Sequence, residues 1–130
     1  MNRYFLIRLF VLSMFFACCQ SQPNVNAIKL TPKIFQDSLS RGAVQLIDVR
    51  TKKEFNSGHI NNALNVDFYS DKFKDSLGVL DTNKAVFIYC RSGNRSSKSV
   101  AVFKALGFKN VYELEGGITN WEKENYVVNQ

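Results

Sequence analysis

The chain has 130 residues, which is enough for one compact domain with a buried core and too few for two ordinary ones. With 45% hydrophobic residues and 11 phenylalanines, its composition is globular and excludes an intrinsically disordered chain. The formal charge is +6, from 17 basic and 11 acidic residues, but no run of lysines and arginines indicates a nucleic-acid surface. Because the sequence has no metal-ligand cluster, glycine-rich nucleotide loop or flavin signature, we expect no cofactor, no metal and no nucleic-acid partner.

Residues 1–17 are predicted to be a signal peptide. Arg3 and Arg8 supply positive charge, and the apolar run from Leu9 to Ala17 is shorter than the roughly 20 residues that span a bilayer. Cys18, directly after Ala17, resembles the acylated cysteine of bacterial lipoproteins. This resemblance implies an exported protein on the periplasmic face of a bacterial membrane, attached through an N-terminal lipid anchor.

Two alternatives to this lipoprotein signal stay open, an uncleaved membrane anchor and an ordinary signal cut nearby. Cys18 is favoured over Cys19 as the acylated residue because the small Ala17 precedes it. Growth with labelled palmitate tests this assignment, since an unlabelled mature protein contradicts it. Residues 18–26 are mostly polar and include Pro23, so they are predicted to form a tether to the folded domain at residues 27–130.

From residue 27 onward, short apolar runs alternate with amphipathic stretches. Strands are predicted at residues 27–30, 44–49, 63–66, 85–89 and 111–114. Helices are predicted after the N-cap Thr31, at residues 52–56 and 96–106, and after residues 116–117, while residues 68–77 are ambiguous. This alternation predicts an α/β fold, with a central, mainly parallel sheet of about five strands and helices on both faces.

Cys90 ends the apolar strand at residues 85–89 and opens the polar segment 90–96, which leads into a helix. A residue at the carboxyl end of a parallel strand lies where such sheets bind ligands. The loop N–H groups, the helix N-terminus and the guanidinium groups of Arg91 and Arg95 all favour an anion. The setting therefore favours a thiolate, which is a nucleophile.

Three stretches of the chain resemble the signatures of single-domain rhodaneses, and the match covers nearly all of residues 27–126. The first comprises residues 46–50, 54–55, 58–60 and 63–65, the second the loop 90–96, and the third residues 114–117 with Trp121. The three occur in the order and at the spacing of that family. Asn62 departs from the family, which often has glycine there, but this position bears on a turn and not on the chemistry.

The resemblance implies a thiosulfate sulfurtransferase or a close relative. In that family the loop cysteine attacks the outer sulfur of a donor such as thiosulfate, sulfite leaves, and the cysteine holds a persulfide. A thiol or another nucleophilic acceptor then takes the sulfur. Cys90 is accordingly predicted to be the catalytic nucleophile and sulfur carrier, with thiosulfate or a persulfide as the donor.

The rest of the loop is predicted to bind substrate: Arg91, Ser92, Gly93, Asn94, Arg95 and Ser96. Arg91 is expected to hold the anionic donor, because a guanidinium can bind two oxygens at once. Arg95 either binds substrate or shapes the loop by pairing with a carboxylate such as Asp48. Ser96 is expected to contribute a backbone donor and to cap the following helix. Asp48 and Arg50 are interpreted as organisers of the pocket wall.

Two other functions stay open. Cysteine-dependent phosphatases and arsenate reductases also place a cysteine before a helix, but five residues separate their cysteine from the arginine. Here four residues separate Cys90 from Arg95, and this shorter loop favours a single sulfur over a tetrahedral oxyanion. The second alternative is a module that carries a persulfide or binds a partner without turnover on small molecules.

Overall fold

A computed structural model describes residues 27–130, in which five strands form one sheet. The strands are β1 (Ile28–Leu30), β2 (Gln45–Asp48), β3 (Leu64–Asn65), β4 (Val86–Tyr89) and β5 (Val111–Leu114). They pair in parallel in the order β1-β5-β4-β2-β3. No helix among residues 27–130 is both long and apolar enough to cross a membrane. The predicted signal peptide, the tether and Cys18 lie outside the described residues.

Helices cover both faces of the sheet, which confirms the predicted α/β fold. They are α1 (Pro32–Leu39), α2 (Lys52–Asn56), α3 (Phe73–Ser76), α4 (Asn94–Ala105) and α5 (Gly117–Lys123), and a 3₁₀ turn (Leu77–Val79) follows α3. One buried cluster includes residues of α1 and α5, and the other includes residues of α3 and α4. The Thr31 hydroxyl accepts a hydrogen bond from the Ile34 N–H and so caps α1, as predicted.

The start of α4 differs from its prediction. The helix begins at Asn94 and not at Ser96, because Gly93 takes a left-handed conformation with φ 102° and serves as the N-cap. Glycine adopts this conformation without steric cost, since it has no Cβ. Ser96 therefore lies inside the first turn, where its hydroxyl donates to the Gly93 carbonyl at 3.1 Å, so the prediction that Ser96 caps the helix was wrong.

Strand β4 is the most buried element, and it fixes the position of the loop that follows it. Val86 and Ile88 pack into the cluster that includes α4, while Phe87 and Tyr89 pack into the cluster that includes α1 and α5. Burial of each such side chain contributes about 1.5–3 kcal/mol. Because β4 lies between β5 and β2, the carboxyl ends of three strands meet around Cys90.

Candidate active site

The Cys90 sulfur lies inside a ring of hydrogen-bond donors formed by the loop and the first turn of α4. The Gly93 N–H donates to Sγ at 3.1 Å, and the Ser96 Oγ lies 3.5 Å from Sγ. Only 1% of the Cys90 surface is exposed. A reacting group that reaches this sulfur must therefore be small, or must be admitted by the loop.

The loop lowers the pKa of the Cys90 thiol in spite of its burial. Burial alone would raise this pKa, because it disfavours the charged form. The nearby Ser96 hydroxyl and the N–H groups of Ser96, Gly93 and Ser92 stabilise the thiolate, and together they bring the pKa below its ordinary value. The thiolate predicted from the sequence thus has a physical cause in the loop geometry.

Helix α5 supports the loop from behind. The Ile118 N–H donates to the Cys90 carbonyl at 2.9 Å, and the Thr119 N–H donates to the Arg91 carbonyl at 3.1 Å. A Cβ at Gly117 would lie 2.5 Å from both of these carbonyl oxygens. Because only glycine allows this approach, Gly117 helps to fix the position of Cys90.

Arg95 pairs with Glu54 and not with Asp48, so the partner suggested from the sequence was wrong. Its Nη1 and Nη2 donate to the two Glu54 carboxylate oxygens at 2.7 and 2.8 Å. Together with the capping Thr51, Arg95 lowers the pKa of Glu54 to about 2, and the same contact raises the pKa of Arg95. The ion pair between Arg95 and Glu54 therefore links the Cys90 loop to α2.

Asp48 is unavailable to Arg95 because Arg50 already binds it. The Arg50 Nη2 lies 2.6 Å from the Asp48 carboxylate and also donates to the Gly58 carbonyl. Both side chains of the pair are buried, and Asn65 donates to the backbone carbonyls of the same two residues. These contacts join the ends of β2 and β3, and Arg50 lines the same cavity as Arg91, while the predicted role of Asp48 and Arg50 as organisers of the pocket wall stays a prediction.

The exposed part of the loop contains Arg91, Ser92 and Asn94. The Arg91 side chain makes no hydrogen bond or ion pair within residues 27–130, and it lines a cavity of about 400 Å³ together with Glu54 and Glu122. The Ser92 N–H is one of the groups that lower the pKa of Cys90, and Asn94 begins α4. Arg91 thus remains free to bind an anion.

Sequence reasoning missed the buried carboxyl of Glu113. This residue of β5 is 2% exposed, and its Oε1 accepts hydrogen bonds from the Ser96 hydroxyl at 3.0 Å and the Ser97 hydroxyl at 2.6 Å. A glutamate in an otherwise apolar strand was the available signal. Its importance depends on the packing of β5 against α4, which the local pattern does not reveal.

His59, the single histidine of the chain, takes a structural role. Its Nδ1 lies 3.0 Å from the Phe55 carbonyl, and its ring stacks on the Phe55 ring with centroids 3.8 Å apart. Its backbone N–H donates to the Asn129 carbonyl. The loop therefore contains no Cys-His pair, and the donors around Cys90 come from serine and from the backbone.

Comparison with known proteins gives a family model, curated relatives and solved structures that this chain resembles. A family model described as a rhodanese-like domain matches residues 31–124. The adenylyltransferase and sulfurtransferase uba4 of Ogataea parapolymorpha is 29% identical over 102 residues, which cover 78% of this chain and 26% of that protein. The tRNA uridine(34) hydroxylase of Ehrlichia chaffeensis is 35% identical over 100 residues, which cover 72% of this chain and 36% of that protein.

The chain thus spans well under half the length of these two curated relatives. Among solved structures, a rhodanese-related protein from Thermoplasma volcanium matches with a TM-score of 0.69 at 27% identity. That match covers 78% of this chain and 97% of the other, so the two folds correspond over nearly the whole of the smaller protein.

Proposed function

The chain belongs to the rhodanese-like domain family, and from that premise we propose that it is a sulfurtransferase that carries sulfane sulfur on Cys90. The observation that carries the proposal is the ring of donors around Sγ, which lowers the pKa of the thiol. Each unit by which the loop lowers that pKa corresponds to about 1.4 kcal/mol, or a tenfold larger thiolate fraction at pH values below both pKa values. A larger thiolate fraction provides more of the reactive nucleophile at neutral pH.

The proposed reaction has two displacement steps. The Cys90 thiolate attacks the outer sulfur of thiosulfate, a new S–S bond forms, the bond to the sulfonate sulfur breaks, and sulfite leaves with the electron pair. The persulfide that remains is an anion, so the same N–H groups of Gly93 and Ser92 can stabilise it. A thiolate acceptor then attacks the outer sulfur and releases the Cys90 thiolate. A protein persulfide can replace thiosulfate as the donor in the first step.

Arg91 is the proposed anchor for the anionic donor. It is exposed, it has no partner among residues 27–130, and it adjoins Cys90 in the chain. A guanidinium binds two sulfonate oxygens in a planar arrangement, which would direct the outer sulfur of thiosulfate toward the loop.

The contacts of Arg95 argue against the phosphatase and arsenate reductase alternative. Those enzymes use the arginine at the end of the loop to bind an oxyanion. Here both terminal nitrogens of Arg95 are bound to Glu54, which leaves no free fork for a tetrahedral anion. The four-residue spacing between Cys90 and Arg95 points the same way.

The proposal is tested by the mass of the full chain before and after incubation with thiosulfate. We expect a gain of one sulfur atom, no gain in Cys90→Ser, and an unchanged gain in a variant in which Cys18 and Cys19 are replaced by serine. Addition of cyanide should then remove the bound sulfur as thiocyanate. With thiosulfate and cyanide both in excess, the protein should form thiocyanate over many turnovers. No gain in the unmodified chain, or a gain that persists in Cys90→Ser, contradicts the proposal. A persulfide that forms without turnover indicates a carrier module instead.

A further inference from the structure

The Ser96 hydroxyl lies near three hydrogen-bond acceptors but can donate to only one of them at a time. Its Oγ lies 3.0 Å from Glu113 Oε1, 3.1 Å from the Gly93 carbonyl oxygen and 3.5 Å from Cys90 Sγ. A serine hydroxyl has one proton to donate. Hydrogen bonds to charged acceptors are stronger than hydrogen bonds to neutral ones, so the Glu113 carboxylate competes with the Cys90 thiolate for this proton more strongly than the Gly93 carbonyl does.

Within residues 27–130, Glu113 has no cation that pairs with its carboxyl group. Glu113 is 2% exposed, and its Oε1 accepts hydrogen bonds from the hydroxyls of Ser96 and Ser97. None of the ion pairs found within residues 27–130 includes it. Lys29 of β1 lies in register with Glu113 but is not within ion-pair distance. A buried carboxyl without a cation costs stability, so packing does not explain its presence next to the loop.

We propose that Glu113 is a positioning residue that draws the Ser96 hydroxyl away from Cys90 and thereby sets the pH at which the sulfur ionises. The benefit of this control rests on the proposed function, in which Cys90 is a nucleophile. A thiolate whose thiol has a very low pKa is a weaker nucleophile and attacks more slowly. Glu113 opposes the N–H donors of the loop and keeps the thiolate reactive.

Two effects act in the same direction. The carboxylate and the sulfur both lie within hydrogen-bonding distance of one oxygen, so the negative charge of Glu113 disfavours a second negative charge on Cys90. The Ser96 hydroxyl is also shared with Glu113, so it stabilises the thiolate less than it would without that carboxylate. The charged group of α4 close to Cys90 is Arg95, whose charge Glu54 balances. Arg91 and the α5 carboxylate Glu122 line the cavity of about 400 Å³ described above.

The test is the pH titration of the Cys90 thiolate, followed by its ultraviolet absorbance in the full chain with Cys18 and Cys19 replaced by serine. The signal of the matching Cys90→Ser protein is subtracted. In Glu113→Gln, which keeps an oxygen acceptor for both serines, the midpoint is expected to fall by about one pH unit. Glu115→Gln removes the same charge at an exposed position, two residues further along the chain, and should shift the midpoint by less than about 0.2 units. An unmoved or raised midpoint in Glu113→Gln, or an equal shift in Glu115→Gln, overturns the inference.

A second measurement needs no change at Glu113, so it holds even where Glu113→Gln folds poorly. The Ser96 oxygen lies within hydrogen-bonding distance of both groups, so the carboxyl ¹³C signal of Glu113 must move over the pH range in which Cys90 gains its charge. The same signal should stay flat over that range in Cys90→Ser. A flat signal in the protein with Cys90 intact overturns the inference.

The two proposals fail separately. If thiosulfate adds no sulfur but the Glu113→Gln midpoint falls, sulfur transfer is wrong and the control of ionisation by Glu113 stands. If sulfur is gained but the midpoint and the ¹³C signal do not move, the sulfurtransferase stands and Glu113 is a structural residue.

Discussion

The two sides of the Cys90 loop balance their charges in different ways. On the side of β2 and α2, each buried or half-buried charge has a partner: Arg50 binds Asp48 and Arg95 binds Glu54. On the side of β5, the Glu113 carboxylate accepts hydrogen bonds from serine hydroxyls, and Arg91 lines the cavity between α2 and α5. Neither residue joins an ion pair within residues 27–130.

This difference separates the structural part of the site from its reactive part. A paired charge fixes two elements together, and it changes little when a substrate arrives. An unpaired charge next to the sulfur still exerts its field on the nucleophile or on a bound anion. We therefore expect changes on the paired side to reduce stability, and changes on the unpaired side to alter pH dependence or substrate affinity.

The largest expected effect is on the paired side, in Arg50→Met. This change leaves the carboxylate of Asp48, which is 0% exposed, without its cation, and the free energy of unfolding should fall by about 3–5 kcal/mol. Urea denaturation measures the loss. Lys33→Met is the matched control, because it breaks the exposed Lys33–Asp37 pair and should cost less than about 1 kcal/mol. Equal losses in the two variants would show that the buried pair does not stabilise the loop.

A smaller effect is expected from the Glu54–Arg95 pair as the pH falls. The pKa of Glu54 in the folded protein is about 2, against an ordinary value of 4.5. Because the folded value is the lower one, the stability from this pair is complete above pH 4.5 and is lost as the pH falls toward 2. About 2 kcal/mol is at stake, after allowance for partial exposure of the pair.

Urea denaturation at several pH values between 2 and 5 measures this loss. In Glu54→Gln the free energy of unfolding should depend less steeply on pH over that range. Glu124→Gln, at an exposed position after α5, serves as the control and should keep the slope of the unmodified chain. An unchanged slope in Glu54→Gln would show that Arg95 does not stabilise the ionised form of Glu54.

Much of the fold could be predicted because its signals are local. The apolar run before Cys90 indicates a strand buried on both faces, and Thr31 with Pro32 marks the start of α1. The start of α4 was missed because it depends on the left-handed conformation of Gly93, which composition does not specify.

The charge partners of the site could not be predicted because they are set by long-range packing. Arg95 and Glu54 lie 41 positions apart, so no local pattern joins them. Glu113 meets Ser96 and Ser97 because β5 pairs with β4 and α4 packs across both strands. The sequence sufficed to predict Cys90 and its loop as the candidate nucleophile, whereas the positions of Glu54 and Glu113 beside that loop required the structure.

The smallest expected effect concerns Arg91. This residue is recognisable from its place in the loop sequence, and its side chain forms no ion pair within residues 27–130. Arg91→Ala removes no ion pair of residues 27–130, so the free energy of unfolding should change by no more than about 0.5 kcal/mol. If Arg91 binds the donor in the ground state, the KM for thiosulfate should rise about tenfold while kcat changes little. Lys98→Ala, which removes an exposed cation from α4, should leave the KM within about twofold of the unmodified value. Equal KM values in the unmodified chain and Arg91→Ala would show that Arg91 does not bind thiosulfate, in spite of its position next to Cys90 and its lack of an ion-pair partner.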